Sequence, residues 1–325
     1  MVKLDLKDRK ILYELDVNCR QPNSRIAKKV GLSEQVVGFR IKRLLTNKVI
    51  SNFYAVIDVS KLGYTVHKTF LVLQNCDTHK HDEIVASLQS HPDVVWVASC
   101  DGKYDLAFGT RARDMAHFDQ TLTGITKKFG ANIRERAIAT ILKGEYFIRD
   151  HLMNKKQPSA IRESFFGSVP EPSKLDAIDQ HILVALGKDA RTNAVDIAKT
   201  VKLSADAVSK RIKKMEKAGI IRHYNIVPNE AVYPYIHYKV LVGLQNVSSS
   251  RLAALVEYCR INPNIVYVVQ SLGPWEFEID LEVENAQHYR DIMMNLKTQF
   301  ADILKDTSAL QIYQVSKYNF YPGTS

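Results

Sequence analysis

The chain has 325 residues, 46% hydrophobic and 25% charged, the balance of an ordinary soluble globular protein. It holds no run of eighteen apolar residues, and its charged start, Met-Val-Lys-Leu-Asp-Leu-Lys-Asp, lacks the apolar core of a signal peptide; no membrane span is expected, and a cytoplasmic location is. The net charge of +10 and pI near 9.2 favour a polyanionic partner, while four cysteines without a CxxC pair predict reduced thiols and no structural zinc.

Residues 4–18 read as a first helix, with Asp5 as N-cap and Leu6, Ile11, Leu12 and Leu15 on one face. Arg20-Gln21-Pro22-Asn23 breaks it. Asn23 or Ser24 then caps a short second helix with Ile26, Ala27 and Val30 inward and Gly31 at its C-terminal end. Ser33 caps a third helix, whose buried stripe is Val37, Ile41, Leu44 and Leu45. After a turn at Asn47-Lys48, residues 49–50 and 53–57 read as a β hairpin. Three short helices followed by a hairpin make a winged helix-turn-helix pattern.

The rhythm then changes. Residues 66–75 read as a strand, 79–90 as an amphipathic helix with Ile84, Val85 and Leu88 inward, and 94–98 as an apolar strand. Residues 103–110 alternate, with Tyr104, Leu106 and Phe108 on one face. A helix carrying Met115, Phe118, Leu122, Ile125 and Phe129 follows, and a last strand lies near 132–142. The order βαββαβ is the ferredoxin-like split βαβ unit. Residues 154–173 have linker composition, with Lys155-Lys156-Gln157-Pro158, Gly167 and Pro170-Glu171-Pro172; Ile161, Phe165 and Phe166 are its docking residues.

Everything before the linker is then repeated. Residues 4–143 align with 175–314 at a constant offset of 171 without a gap. Ile26-Ala27-Lys28 falls on Ile197-Ala198-Lys199, Leu73-Gln74-Asn75 on Leu244-Gln245-Asn246, and Gly102 on Gly273. Asp176 and Ser204 repeat the caps, and Trp275, Phe277, Ile279 and Leu281 alternate with Glu276, Glu278, Asp280 and Glu282. The fold expected is α+β: winged helix-turn-helix domains over 1–60 and 174–230, ferredoxin-like domains over 61–148 and 231–325, and a linker over 149–173. One chain carries what would otherwise be two subunits.

This order of elements resembles the leucine-responsive/AsnC (feast/famine) family of prokaryotic transcription regulators. The resemblance rests on Leu4-Asp5…Asp8…Ile11-Leu12 and Leu175-Asp176…Asp179…Ile182-Leu183, and on Ile26-Ala27…Val30-Gly31-Leu32-Ser33…Arg40-Ile41 with its counterpart Ile197-Ala198…Arg211-Ile212. Gly102-Lys-Tyr-Asp105 looks like the family's Gly-x-x-Asp turn. Family members usually carry one copy and assemble as dimers and larger rings, so the tandem chain resembles a fused dimer that self-associates through its ferredoxin-like domains.

A recognition helix turns the N-terminal part of its exposed face toward base edges. In the second copy the candidate contacts to double-stranded DNA are Ser209, Lys210, Arg211, Lys213 and Lys214, within a stretch holding six basic residues against two acids. In the first copy they are Gln35, suited to adenine, with Phe39, Arg40, Lys42 and Arg43. Phe39 reads either as a thymine-methyl contact or as a residue buried against another domain, and Gly38 needs a reason such as close backbone approach. The bland alternative for the lysines is a solvated helix face.

The resemblance implies an amino-acid or other small-molecule effector near the Gly-x-x-Asp turn. The corresponding residues are Gly102 and Asp105, and Gly273 and Glu276, where Pro274 and a glutamate depart from the pattern. The competing reading is a tight-turn glycine beside an ion-paired acid. His117 and His288 occupy equivalent positions and read as amphipathic surface residues.

A DNA-binding transcription regulator is the leading expectation, and the chain is expected not to be an enzyme and to carry no cofactor. The alternative is an enzyme similar to siroheme decarboxylases, which share this plan; here a Gly-Lys-Tyr-Asp turn replaces the histidine- and tryptophan-containing segment of that family. A third reading is an architectural or effector-storage protein with little sequence selectivity.

Overall fold

The computed structural model describes residues 3–153, 164–167, 169–321 and 323. Helix α1 (Leu6–Val17) starts on Asp5 in a reciprocal capping box: the Asp5 carboxylate accepts from Asp8 N–H at 2.7 Å, and the Asp8 carboxylate accepts from Asp5 N–H at 3.3 Å. Pro22, not Asn23 or Ser24, stands at the N-cap of α2 (Asn23–Val30), with φ fixed at −66° and no side-chain cap hydrogen bond. Gly31 closes α2 at φ +66°, and Ser33 caps α3 (Glu34–Thr46) through Val36 N–H. Val37, Ile41 and Leu44 are buried as their spacing predicts, whereas Leu45 is 37% exposed.

The hairpin expected after α3 does not form within the copy. Strand β1 (Ile50–Ile57) pairs antiparallel with β7 (Ile221–Pro228), its counterpart in the second half, with Phe53 opposite Ile226 and Ala55 opposite Tyr224. Each copy therefore contributes one strand to a shared ribbon. The second triplet, α6 (Ala177–Lys188), α7 (Ala194–Val201) and α8 (Ala205–Lys217), packs with the first on one apolar core that includes Ile11, Leu44, Ile57, Ile182, Ile212 and Ile221. Burial of apolar surface across this seam joins both triplets into one body.

The remaining elements are β2 (Thr65–Leu73), α4 (Thr78–Ser90), β3 (Val94–Gly102), β4 (Leu106–Ala112), α5 (Met115–Phe129) and β5 (Ile133–Tyr146), then β6 (Ser164–Phe166) in the linker. In the second half they are β8 (Ile236–Leu244), α9 (Ser249–Ile261), β9 (Ile265–Leu272), β10 (Phe277–Val283), α10 (Ala286–Gln299) and β11 (Leu304–Tyr318). The last strand of each copy runs several residues beyond its expected end and crosses to the other copy. Strand β5 pairs first with β2 and then with β9; β11 pairs first with β8 and then with β3.

Among the described residues, eight strands thereby close on themselves in the order β2-β4-β3-β11-β8-β10-β9-β5, every neighbour antiparallel. Closure leaves no open edge between the halves, and side chains alternate between outside and lumen along each strand. Leu71, Phe108, Phe277 and Ile279 point outward into two cores completed by α4 with α5 and by α9 with α10. Phe70, Trp96, Tyr104, Leu241, Trp275 and Leu310 fill the lumen.

In the linker, residues 154–163, including Ile161, and the Phe165 side chain lie outside the described residues. Phe166 does dock: its ring sits over Gly144, where a Cβ would come within 2.2 Å of it, and 6.1 Å from the Phe320 ring. Downstream, Glu171 and Ser173 N–H donate to Ser60 and Lys61 carbonyls. No helix among the described residues is long and apolar enough to cross a membrane.

Candidate nucleic-acid and ligand sites

The third helices α3 and α8 hold the residues that the sequence assigns to DNA, and the structure divides them into two groups. Arg40 donates to Asp5 at 2.7 Å and Asp8 at 2.8 Å, and Arg43 donates to Asp8 at 2.7 Å. Arg211 repeats this with Asp176 at 2.7 Å and Asp179 at 2.8 Å. These arginines clamp the third helix to the capping box of the first, so their charge is largely committed within the fold. Lys210 pairs with Asp206 at 2.8 Å, one helical turn away, and the Ser209 hydroxyl donates to the Ala205 carbonyl. Gln35, Phe39, Lys42, Lys213 and Lys214 are exposed, and the three lysines form no ion pair among the described residues. Phe39 is 67% exposed and is not buried against another part of the chain. Gly38 faces α2, where an added Cβ would stand 3.3 Å from the Asn23 amide nitrogen.

The turn residues are built into the barrel seams. The Asp105 carboxylate accepts from Leu73 N–H at 2.6 Å, and Glu276 accepts from Leu244 N–H at 2.8 Å. A Cβ at Gly102 would meet the Ala309 carbonyl at 2.7 Å, and one at Gly273 the Ile138 carbonyl at 2.6 Å. Both glycines let a strand of the opposite copy pass close by. An open cleft of about 650 Å³ lies beside the first turn, lined by Asn75, Asp77, His81, Asp101, Asp105 and Tyr313 among others. His117 meets Asp93 at 3.2 Å and is a quarter exposed.

The largest departure from the sequence reading is inside the barrel. The acids Glu278, Asp280 and Glu282 of β10 face the lumen and are almost wholly buried. Lys239 on β8 donates to Asp280 at 2.6 Å and to Glu278 at 3.3 Å. Lys68 of the other copy reaches Glu278 at 2.5 Å, and His237 meets Asp280 at 2.9 Å. Arg149 joins Glu282 at 2.9 Å to Asp16 of α1 at 2.5 Å. Burial opposes the charge on Asp280, but Lys239 and His237 outweigh it and hold its carboxyl well below the usual range. Burial likewise opposes a charged His237, yet its hydrogen bonds to Asp280 and Glu230 raise it to about 9. Glu282 falls to about 2 against its burial, because of Arg149 and His151. Burial pulls Lys68 below the ordinary lysine value, although Glu278 works against this. The signal in the sequence was the lysine repeated as Lys68 and Lys239 inside otherwise apolar strands.

Comparison with known proteins follows the same outline. Residues 4–45 match an AsnC-type helix-turn-helix domain, 175–222 a winged helix-turn-helix DNA-binding domain, and 69–131 an Lrp/AsnC ligand binding domain. The HTH-type transcriptional regulator FL11 of Pyrococcus horikoshii is 31% identical over 121 residues, covering 37% of this chain and 79% of that protein. The leucine-responsive regulatory protein of Rhizobium meliloti is 29% identical over 143 residues, 44% of this chain and 92% of that protein. Among solved structures, the siroheme decarboxylase NirDL superposes with a TM-score of 0.61 at 13% identity, covering 98% of this chain and 94% of that one.

This last match corrects the expectation that the chain is not an enzyme. A fold that follows the chain over nearly its whole length, both copies included, is the fold of an enzyme, although 13% identity establishes shared architecture alone. The sequence relatives are regulators, and each spans about one copy. By the identity and coverage of these relatives and the order of matched domains, the chain belongs to the Lrp/AsnC family of transcription regulators, in tandem form.

Proposed function

We propose that this chain is a cytoplasmic transcription regulator that binds double-stranded DNA through α3 and α8. The observation carrying this reading is the exposure of Lys213, Lys214 and Lys42 on third helices whose arginines already hold the frame together. Phosphate contact supplies most non-specific affinity and makes it salt-dependent. Gln35 and Phe39 stand on the equivalent face of α3, suited to an adenine edge and a thymine methyl.

The test follows from the ion pairs. Lys213→Ala with Lys214→Ala is expected to weaken duplex binding and flatten its log–log salt slope by up to about 2, one counterion per lost phosphate contact. Lys210→Ala is expected to change less, because Asp206 already occupies that ammonium. Unchanged affinity and slope for the double variant in filter binding would remove DNA contact from α8.

Effector modulation belongs to the same proposal. The cleft beside Asp105 supports an amino-acid site there, with Gly102, Asp105, Gly273 and Glu276 as the residues of the two turns. Selecting duplexes from a random pool, with and without mixed amino acids, tests selectivity and modulation together. A second reading, tetrapyrrole decarboxylation, draws on the whole-chain fold likeness. It requires purified protein titrated with an iron tetrapyrrole to develop a bound visible absorption band.

A further inference from the structure

Inside the barrel the two copies differ at the position that faces a lysine they share. In the second copy Lys239 on β8 stands directly opposite Asp280 on β10, and the two are ion-paired at 2.6 Å. In the first copy the equivalent pair is Lys68 on β2 opposite Gly109 on β4. The next lumen position repeats the contrast, since Glu278 has Ala107 as its counterpart. The lysine was kept in both halves and its carboxylates in only one. Lys68 compensates by reaching across to Glu278.

Besides that bond the Lys68 ammonium lies 5.6 Å from the centre of the Trp96 ring. It has three N–H donors, and among the described residues only one is used in a hydrogen bond. Lys68 is 8% exposed, so bulk water does not serve the other two well. Where the missing carboxylate would stand there is space: a cavity of about 70 Å³ borders Lys68 and Gly109. Its other walls include Val66, Val95, Ile141 and Phe166. A Cβ added to Gly109 would have Trp96, Val95 and Val66 at 3.6–3.7 Å, ordinary contact distances. The volume suits about five waters or a molecule of similar size.

The surrounding groups set the chemistry. Tyr54, Tyr267 and Tyr318 line the same cavity and hydrogen-bond to one another, with Tyr267 at 2.6 Å from the Tyr54 hydroxyl and 3.1 Å from that of Tyr318. The carboxylates nearby already face cations and donors: Asp280 accepts from Lys239 and His237, and Glu278 from Trp275 and the two lysines. Glu230 accepts from Val315 N–H and faces His237. A ligand ammonium group would have to compete with these cations for the carboxylates.

We propose that this cavity binds a small monocarboxylate without an α-amino group, whose carboxylate takes beside Lys68 the place that Asp280 takes beside Lys239. Acetate, pyruvate and isobutyrate are of the right class. The site is separate from the cleft at Asp105, and the inference stands whether or not the chain binds DNA.

Calorimetric titration of the full chain tests it. Saturable binding is expected for at least one of acetate, pyruvate and isobutyrate, with alanine, the amine-bearing match of pyruvate, at least tenfold weaker. Gly109→Asp is expected to abolish binding while melting no lower than the unmodified chain, because it supplies the missing carboxylate internally. Lys68→Met is expected to weaken binding at least tenfold. Should Gly109→Asp not fold, Gly109→Ala must still weaken binding. The proposal is overturned if none of the three acids binds, if alanine matches pyruvate, or if the folded Gly109 variants bind as the original chain does.

Discussion

His237 is where a residue's surroundings most change its chemistry. Its side chain is 14% exposed and lies between Asp280 and Glu230, which together raise it from 6.5 to about 9. A histidine whose folded value is raised stabilises the fold fully below about pH 6.5, and that contribution disappears as pH rises through about 9. Its size is about 3 kcal/mol by linkage. Lys317 acts the other way: burial and then Arg111 pull it from 10.5 to about 8, so its strain is relieved above that pH. The comparison must therefore be between chains. His237→Gln is expected to lower the melting temperature by several degrees at pH 6, with the gap closing by pH 9.5; a gap independent of pH would show that the histidine stays neutral. The arginines teach a related lesson about charge. Arg40 and Arg211 are basic residues on third helices, and sequence spacing assigned them to DNA alone, but a carboxylate pair 35 and 32 residues upstream claims each guanidinium. Helical spacing shows which residues are outward; it does not show what another helix brings to meet them.

At the scale of elements, helices were legible because their signals are local. Capping residues, apolar stripes and the Gly31 stop all lie within a turn or two of the helix they define. Strands β1 and β7 were legible as strands, but their pairing was not. A hairpin and an exchange between copies need the same alternating residues, and the choice is made by a partner 171 residues away. The same holds for β10. Its alternation was plain, yet whether the acidic face met water or a lumen depended on closure of the barrel, which appears only when β5 and β11 cross over. The turn glycines mark those crossings. Gly273→Ala places a methyl 2.6 Å from the Ile138 carbonyl, and Gly102→Ala adds to a 2.7 Å clash a φ of +129°. Each is expected to cost about 1–3 kcal/mol through overpacking, with the larger loss at Gly102. Denaturant midpoints measure this, and alanine variants as stable as the original would mean that the seam has slack.

For the whole molecule, the repeat predicted two domains per copy, while the structure joins equivalent parts across copies. Both helix triplets share one core, both sheets one barrel, and the ion pairs Lys68–Glu278 and Arg149–Glu282 each take one member from either half. Residues 174–325 expressed alone would leave Glu282 without Arg149 and open two barrel seams, and a buried charge stripped of its partner costs about 3–5 kcal/mol. That half is expected to be unfolded or to self-pair, and co-expression with residues 1–153 to restore one folded complex, as read by light scattering and circular dichroism. A stable folded monomer of either half would contradict the shared-core account.

The linker has a consequence of its own. It ends firmly fastened, through Phe166 over Gly144 and through Glu171 and Ser173 on the Ser60–Lys61 backbone. A pair of separate subunits comes apart on dilution and can trade partners with any relative that shares its interface. A tethered pair has an effective concentration set by its own chain. At a few copies per cell this molecule stays whole, its two halves in fixed one-to-one supply. Neither half has to remain compatible with a copy of itself, so equivalent positions such as Gly109 and Asp280 are free to hold different residues.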